Sequence, residues 1–334
     1  MSEKYFLGVD DGYAETKIVM QDGRSFRIPS VAKAGVMNQV SITGSETTVF
    51  PYQTNNGNYI TGEIAEADPT AFDEYPVSPL NRVIVAHAIR QAGIPANAEV
   101  VICTGLPVKK YYVGGNLNKD LIKRKKQNLL KNDVVPLNGG VLPKVTKHDV
   151  VSEGIAAWMD LVMQRDEKGK LVINKELRQE KIAIIDIGGR TTDVAVIQNG
   201  NLDMSRSSTI NVGMLAVKDA VAEKLSEKFQ TELSIDQINQ AIEHKKVKMF
   251  GSWEPVVDIV KSAEQTVASR IEAECKKCLN KSSDLDKIVF VGGTVMAIEQ
   301  YLEGWFKQQT IGDDPAFANA RGMQKFAEYS MMAK

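Results

Sequence analysis

A short pattern occurs twice in this chain, and the repetition constrains the fold more than any other feature. The first copy is FLGVDDGYAETKIVM near the N-terminus, and the second is IAIIDIGGRTTDVAVI, about half a chain further on. Each copy has an apolar strand, an Asp-x-Gly step, a short polar turn and a second strand, which is the pattern of a β-hairpin. Either hairpin alone is an ordinary Asp/Gly turn. Two copies with equal internal spacing predict two related halves that face each other.

The two turns carry the residue types that a polyphosphate and its metal ion require. Glycine has no Cβ, so backbone N–H groups beside it can approach a phosphate closely. Mg²⁺ keeps several waters and is held through one or two carboxylates together with phosphate oxygens. The copies align without a gap, so that Asp10 corresponds to Asp186 and Lys17 to Asp193. We expect the turns to grip a triphosphate from both sides, with Asp10 and Asp186 reaching the metal through its waters.

The second strand of each hairpin differs between the copies in charge. Lys17 suits a cation beside the β- and γ-phosphates, and Asp193 suits an acid near the metal or its waters. For Lys17 the alternative is a solvated lysine on an edge strand.

Size and charge limit the classes of protein to which the chain can belong. It has 334 residues, 43% of them apolar, and a formal net charge of -1. This length allows a large core and two domains, while the near-neutral charge argues against direct nucleic-acid binding through a wide basic face. The first residues lead almost at once into a strand, and no apolar run is long enough to cross a bilayer. We therefore expect a cytoplasmic protein that contacts neither a membrane nor nucleic acid directly.

The order of elements favours an α/β protein with a mixed sheet in each half, because strands precede helices in both. A helix is predicted over 152–165, another over 294–306, and a helical insertion at 231–254. The segment NKDLIKRKKQNLLKND predicts a strongly basic helix. That helix presents either a solvated face or a contact with another subunit.

The chain contains neither a Walker P-loop nor a Rossmann fingerprint. Together with KIVFVGGTVMAIE and VVSEGIAAWMDL, the repeated hairpin resembles the actin-like ATPase superfamily, which includes the heat-shock chaperone ATPase domain and the sugar kinases. Within it the chain looks most like the ParM/StbA proteins that segregate low-copy plasmids. That resemblance covers nearly the whole chain and depends on VDDG, YPVSPLNRVIVAHAIRQAGIP, VICTGLPVKKYY, LIKRKKQNLLK, IIDIGGRTTDVAVI and NARGM in this order.

The resemblance implies an actin-like α/β fold: two related lobes, each with a mixed sheet flanked by helices, and a nucleotide cleft between them. Lobe I would span 1–180 with an inserted small subdomain at about 31–78, and the C-terminal helix 316–334 would join it. Lobe II would span 181–315 with a helical subdomain at about 214–272.

The resemblance also implies site residues. Glu153 would orient the attacking water and act with Asp186 in catalysis; the alternative for Glu153 is an acid in the first helical turn after an N-cap at Ser152, where the helix dipole favours it. The implied metal ligands are Asp10, Asp186 and Asp193. The implied nucleotide-binding residues are Asp11, Gly12, Tyr13, Lys17, Gly188, Gly189, Arg190, Thr191, Gly213, Gly292, Gly293 and Thr294.

Two parts of the implied site depart from the family or stay open. Relatives usually carry a small residue at the position of Arg190, which would either bind the γ-phosphate or point to solvent. Residues of the inserted segment 231–254 would help hold the base, and Lys245, Lys246 and Lys248 are the candidates within it.

In this family ATP, and often GTP as well, closes the cleft with Mg²⁺, and closed subunits stack head-to-tail into filaments. Hydrolysis destabilises the filament, and an adaptor protein bound to centromere DNA caps its end. We therefore expect an ATPase that polymerises to segregate plasmid DNA. The alternatives are another bacterial or archaeal actin-like filament protein without a role in partition, a small-molecule kinase on the same fold, or a chaperone ATPase.

Overall fold

The computed structural model describes residues 4–36, 48–64 and 67–332. The strands of the first half are β1 (Lys4–Asp11), β2 (Glu15–Met20), β3 (Ser25–Pro29), β4 (Ala32–Ala34), β5 (Val49–Thr54), β6 (Gly57–Gly62), β7 (Glu99–Leu106), β8 (Tyr112–Val113), β9 (Asn116–Leu117), β10 (Val135–Pro136), β11 (Lys144–Ser152), β12 (Met163–Arg165) and β13 (Leu171–Ile173). The helices of this half are α1 (Pro79–Gln91), α2 (Val108–Tyr111), α3 (Lys119–Leu129), α4 (Glu153–Val162) and α5 (Lys175–Gln179).

The second half follows the same alternation. Its strands are β14 (Ile182–Ile187), β15 (Thr192–Gln198), β16 (Asn201–Leu202), β17 (Ser208–Ile210), β18 (Lys246–Met249), β19 (Ser252–Pro255), β20 (Lys287–Val291) and β21 (Gln309–Ile311). Its helices are α6 (Met214–Phe229), α7 (Ile235–His244), α8 (Val257–Leu279), α9 (Val295–Ile298) and α10 (Ala318–Met332). Parts of the predicted lobe I, of its inserted subdomain and of the C-terminal helix lie outside the described residues, and the predicted domain boundaries stay predictions.

Both halves are built around a mixed sheet with one plan. The first sheet has the order β11-β7-β1-β2-β3, with β1, β2 and β3 antiparallel and β1, β7 and β11 parallel. The second has the order β16-β15-β14-β20-β21, with β14 and β15 antiparallel and β14, β20 and β21 parallel. A smaller sheet, β10-β5-β6-β4, belongs to the first half. The predicted α/β class with a mixed sheet in each half is confirmed.

The two hairpins have the same register, as the gapless alignment of the sequence predicted. Asp10 pairs with Lys17 across β1 and β2, and Asp186 pairs with Asp193 across β14 and β15. Strand β2 is bonded to β1 on one side and β3 on the other, and Lys17 is 7% exposed. The alternative of a solvated lysine on an edge strand is therefore wrong.

Helices α4 and α10 lie where the halves meet. Helix α10 packs on β1 and β7 and against α4, which also contacts β14 and β15 of the second sheet. Two glycines permit the close approach: a Cβ on Gly8 would lie 1.8 Å from the carbonyl oxygen of Ala320, and one on Gly322 would lie 1.7 Å from that of Ala156. A side chain at Gly8 would push α10 away from the sheet that carries the first hairpin, and one at Gly322 would push α10 away from α4.

Two predicted helices are shorter than expected. The helix predicted over 152–165 ends at Val162, and the chain continues as β12, which pairs with β13. The helix predicted over 294–306 is the single turn α9 followed by a turn of 3₁₀ helix at Glu299–Tyr301. In both, apolar residues continue the helical spacing beyond the true end, so the pattern alone overestimates the length.

The segment 231–254 is only partly helical, which corrects the prediction of a helical insertion. Helix α7 is followed by a hairpin of β18 and β19. The turn holds Phe250 at φ 47° and Gly251 at φ 88°, and positive φ at both central residues is what a type I′ hairpin turn requires. Phenylalanine is an unusual residue for the first of these positions, so the turn could not be recognised from its composition.

None of the helices in the described part of the chain has both the length and the apolar character needed to span a membrane.

Candidate active site

A cleft of about 560 Å³ opens where the two hairpin turns meet, with residues of both halves in its walls. Most of the residues predicted from the sequence line it: Asp10, Asp11, Gly12, Tyr13, Lys17, Glu153, Asp186, Gly188, Gly189, Arg190, Thr191, Gly292, Gly293 and Thr294. Gly213 and Asp193 are not among its lining residues. A larger cavity of about 770 Å³ lies beside α1 and the segment before β11. Its lining contains no acidic side chain, so the chemistry predicted above points to the cleft.

The two turns are in contact across the cleft. A Cβ on Gly189 would lie 3.1 Å from the Cβ of Ala14 in the first turn. The second turn is fixed from behind by the start of α6, where the backbone N–H groups of Met214 and Leu215 donate to the carbonyl oxygens of Gly188 and Gly189 over 3.1 and 2.8 Å. The halves therefore approach each other at their glycine-containing turns.

Gly213 supports this turn and is not among the residues that line the cavity, so its predicted contact with the nucleotide stays a prediction. A Cβ on Gly213 would lie 2.4 Å from the carbonyl oxygen of Gly188, so only glycine lets α6 start so close to the turn. Gly292 has φ 105°, and a Cβ there would lie 2.4 Å from Oδ1 of Asp186. Thr294 donates its hydroxyl to the carbonyl oxygen of Gly188 over 2.9 Å. The glycines after β20 thus bring that segment against the second turn.

Asp186 lies on the cleft wall in an acidic environment. It is 5% exposed, and its Oδ2 accepts a hydrogen bond of 2.6 Å from Nδ2 of Asn319 in α10. Burial, together with the charges of Asp193 and Asp10, raises the pKa of Asp186 to about 7 against the lowering effect of the hydrogen bond from Asn319. Burial and the neighbouring acids favour the protonated, uncharged form of this carboxyl group. A bound cation would favour its ionised form instead.

Glu153 is the first residue of α4 and faces the same cleft. Ser152 is the N-cap, but its side chain makes no capping hydrogen bond. Gly105 provides the space for Glu153, because a Cβ there would lie 2.6 Å from the Cγ of Glu153. Burial raises the pKa of Glu153 well above its ordinary value, and the charges of Asp193, Asp10 and Asp186 add to the rise. Glu153 is therefore both a first-turn acid and a wall of the cleft, and its catalytic role stays a prediction.

Lys17 supplies positive charge between the two hairpins. Its Nζ lies 3.5 Å from Oδ2 of Asp10 and 3.8 Å from Oε2 of Glu15. Burial lowers the pKa of Lys17, but the charges of Asp10, Glu15 and Asp186 outweigh it, and the net shift is upward. Lys17 is thus a permanently charged group beside the acids of both halves.

Asp11 lines the cleft, but both oxygens of its carboxylate have partners within the protein. Oδ1 lies 2.8 Å from Nζ of Lys125, and Oδ2 accepts a hydrogen bond of 2.7 Å from Nδ2 of Asn81. Lys125 belongs to the basic helix α3 and is 2% exposed, so the predicted solvated face is wrong for this residue. The carboxylate of Asp11 holds α3 to β1, and the backbone beside it is what faces the cavity.

Asp193 ties the two halves together, and its predicted role near the metal or its waters stays a prediction. It is 1% exposed, and Oδ1 accepts hydrogen bonds from the backbone N–H of Val108 over 2.8 Å and from the hydroxyl of Thr209 over 2.5 Å. The hydroxyl of Thr209 also accepts from the backbone N–H of Lys109 over 3.0 Å. Burial raises the pKa of Asp193 to about 6, against these hydrogen bonds.

The described residues contain no group of three or more His, Cys, Asp or Glu side chains placed to hold a metal ion directly. Asp10 and Asp186 remain on the cleft wall. The pKa of Asp186 is raised first by burial and then by the negative charges of Asp193 and Asp10, and these neighbouring acids fit a hydrated divalent cation held with ligand oxygens.

The far end of the cleft lies partly in the segment 231–254, which the sequence assigns to the base, but sequence reasoning did not identify the residues that line it. This end is lined by one face of α6 and α7, through Met214, Lys218, Asn239, Ile242 and Glu243. Helical spacing indicates that these faces are packed, but it does not show which cavity they face. Lys245 pairs with Glu264 over 2.6 Å, and the ammonium of Lys246 lies 4.9 Å from the centroid of the Trp253 ring. Neither these lysines nor Lys248 line the cleft, and their contact with the base stays a prediction.

Two family models match the chain in succession. Residues 8–150 match the N-terminal domain of actin-like proteins, and residues 184–304 match the C-terminal domain of the archaeal actin homologue MreB-like family. An archaeal actin homolog of Thermoplasma acidophilum is 22% identical over 352 residues, 97% of this chain and 99% of its own.

Solved structures show the same fold. An archaeal actin homolog, Ta0583, in complex with ADP has a TM-score of 0.76 at 20% identity, over 98% of this chain and 99% of its own. A subunit of a 15-stranded ParM filament from Clostridium botulinum has a TM-score of 0.75 at 19% identity, over 98% of this chain and 99% of its own. Both similarities extend over the two sheets and the cleft between them.

Proposed function

Because this chain has an actin-like fold and matches two actin-like family models, we propose that it is an ATPase that binds ATP with Mg²⁺ in the cleft and polymerises into filaments. The single observation that carries the proposal is the meeting of the two Asp-x-Gly hairpins, in equal register, on one cleft. A polyphosphate bound there would be contacted from both halves. Its binding would therefore favour the closed arrangement of the halves over an open one.

Different residues of the cleft would bind the phosphates, the metal ion and the nucleoside. The turns around Gly12 and Gly188 would hold the phosphates through backbone N–H groups, and Lys17 would stand beside them as a cation. Asp10 and Asp186 would hold the hydrated Mg²⁺, which would supply charge neutralisation of the phosphates. Gly292 and Gly293 would pass under the nucleoside.

The base would lie at the end of the cleft formed by α6 and α7. Lys218, Asn239 and Glu243 line this end, and they offer hydrogen-bond donors and acceptors for the edge of a purine. This set carries both ammonium and carboxylate groups, so it is compatible with ATP and with GTP.

Hydrolysis requires an attacking water that is held in line with the γ-phosphate. Glu153 lies on the cleft wall beside Asp10 and Asp186, whose charges affect its pKa. We assign to Glu153 the positioning of that water by a hydrogen bond. Asp186 contributes to catalysis through the metal.

Filament formation follows from a head-to-tail contact that does not close on itself, since such a contact generates an open helix. The ParM filament among the similar structures supports this part of the proposal. The test is pelleting by centrifugation with ATP and Mg²⁺, with ADP and Mg²⁺, and with ATP and a chelator, combined with negative-stain microscopy. Sedimentation with ATP and Mg²⁺ alone is the expected result, and a protein that stays monomeric at tens of micromolar would contradict the proposal.

The biological role that we propose is segregation of plasmid DNA in the cytoplasm through an adaptor bound to centromere DNA. It is supported by the ParM-like motifs of the sequence, whereas archaeal actin homologs of equal structural similarity support the alternative of a filament with another role. A plasmid-loss assay separates the two. Loss that rises when this gene is deleted from its own replicon supports partition. Stimulation of ATP turnover by a sugar or a small acid would instead favour a kinase.

A further inference from the structure

Arg190 makes contacts across the cleft. It belongs to the second hairpin turn, yet its guanidinium carbon lies 5.2 Å from the centroid of the ring of Tyr13 in the first turn. One guanidinium nitrogen lies 3.4 Å from Oδ1 of Asp73, which is also in the first half. The side chain is 31% exposed, so it lies at the mouth of the cleft and does not point freely into solvent.

The surface that receives Arg190 is built by contacts within the first half. The ring of Tyr13 packs on that of Tyr75 with centroids 5.5 Å apart, and its backbone carbonyl accepts a hydrogen bond of 2.5 Å from the hydroxyl of Thr70. Lys110 holds the other end, because its Nζ lies 3.1 Å from the hydroxyl of Tyr13 and 3.3 Å from Oδ1 of Asp73. These bonds fix the ring and the carboxylate independently of Arg190.

We propose that Arg190 is a latch that joins the two halves at the mouth of the cleft through Tyr13 and Asp73, and that it slows the release of the nucleotide. The proposal depends on the proposed binding of a nucleotide in this cleft. It assigns Arg190 to the closure of the protein, so its effect is the same for a diphosphate and a triphosphate.

The chemistry of the contact favours an arginine. Asp73 is 80% exposed, and an exposed ion pair alone contributes little. The face of an aromatic ring adds a cation–π attraction, for which the planar guanidinium is better suited than an ammonium group. Lys17 already places a cation between the acids of both halves, so the cleft does not depend on Arg190 for charge at the phosphates.

The test compares release rates of labelled ADP and of a labelled non-hydrolysable ATP analogue from four proteins. Arg190→Ala should speed the release of both nucleotides by about threefold to tenfold. Asp73→Ala should speed both by a smaller factor, and Arg190→Lys should fall between the wild type and Arg190→Ala. Arg124→Ala is the matched control, because Arg124 pairs with Glu74 and Asp120 within the first half; its rates should equal those of the wild type.

Other outcomes overturn the latch. Faster release of the ATP analogue alone, with Asp73→Ala without effect, would make Arg190 a ligand of the γ-phosphate. Equal rates in all the proteins would give Arg190 no role in closure.

A measurement without nucleotide separates failure of the latch from failure of nucleotide binding. Small-angle X-ray scattering of the nucleotide-free protein should give a larger radius of gyration for Arg190→Ala than for the wild type and for Arg124→Ala. If the wild type binds no nucleotide, the proposed function fails. The comparison of radii of gyration still decides whether Arg190 joins the two halves. Identical scattering curves would overturn the latch.

Discussion

The acids of the cleft show how one residue type takes different roles in different surroundings. Asp10, Asp11 and Asp186 line the cavity, but the carboxylate of Asp11 is paired with Lys125, and Asp193, which does not line the cavity, is hydrogen-bonded to Val108. In a strand successive side chains point to opposite faces, so adjacent Asp10 and Asp11 face different partners, Lys17 and Lys125. The doubled acid therefore serves two tasks, one at the site and one in packing.

The first prediction concerns Glu153. Glu153→Gln keeps the size of the side chain and removes its charge, so ATP turnover should fall by about 100-fold or more if Glu153 positions the attacking water. Filament assembly should remain, because no contact that holds the nucleotide is lost. Phosphate release and pelleting are measured together, and Glu99→Gln, at the far end of β7, is the control. Unchanged turnover would reduce Glu153 to a first-turn acid of α4.

At the scale of elements, α3 is more than a solvated basic helix. The ammonium of Lys125 lies between β1 and β7, where it pairs with Asp11 and donates to the carbonyl oxygen of Gly105 over 2.6 Å. Residues on the other faces of α3, such as Lys123, are exposed. One buried lysine thus fixes the helix to the strand that leads into the first hairpin turn.

The second prediction tests this contact. Lys125→Met should lower the free energy of unfolding by about 3–5 kcal/mol, because it leaves the carboxylate of Asp11 buried without a cation, with only the hydrogen bond from Asn81. Lys123→Met, the same change on the exposed face, should alter it by less than about 0.5 kcal/mol. Urea denaturation measures both. Adding Asp11→Asn to Lys125→Met should restore part of the loss, and strictly additive losses would contradict the pairing.

At the scale of the whole molecule, buried neutral histidines link stability to pH. His148 in β11 is 3% exposed; its Nε2 lies 2.9 Å from the hydroxyl of Thr104 and its Nδ1 3.3 Å from the carbonyl oxygen of Lys126. Burial, together with the charge of Lys125, lowers the pKa of His148 to about 3. His148 therefore favours the folded state fully above its unfolded pKa, and that contribution is lost as the pH falls.

The third prediction follows from this loss of stability as the pH falls. Lowering the pH from 6.5 to 4.5 should decrease the free energy of unfolding by about 2–3 kcal/mol, because His148 is protonated in the unfolded state and stays neutral in the folded state. The raised pKa values of Asp186 and Asp193 act in the opposite direction, so the comparison must be between variants. The pH dependence of urea unfolding should be shallower in His148→Gln than in the wild type. The exposed His244, changed to Gln, should leave the slope unaltered, and equal slopes for all three would refute the assignment.

Much of the fold and part of the cleft could be read from local pattern. The hairpins, their common register and the mixed sheet of each half follow from strand alternation and turn chemistry, which involve residues close together in the chain. Local pattern does not give the ends of α4 and α9, because apolar residues continue past the helix ends. It also does not give the hairpin after α7, because Phe250 takes a backbone conformation that its side chain does not favour.

The amino-acid order thus settled which turns bear aspartate and glycine, and why a polyphosphate would suit them. Folding settled which of these groups face the cavity: it placed Asp193 against the backbone of Val108, Asp11 against Lys125, and Arg190 against Tyr13. It also brought α6 and α7 to the far end of the cleft. The physical reason is that burial, ion pairing and pKa depend on partners far away along the chain, and their positions exist only after both halves have packed together.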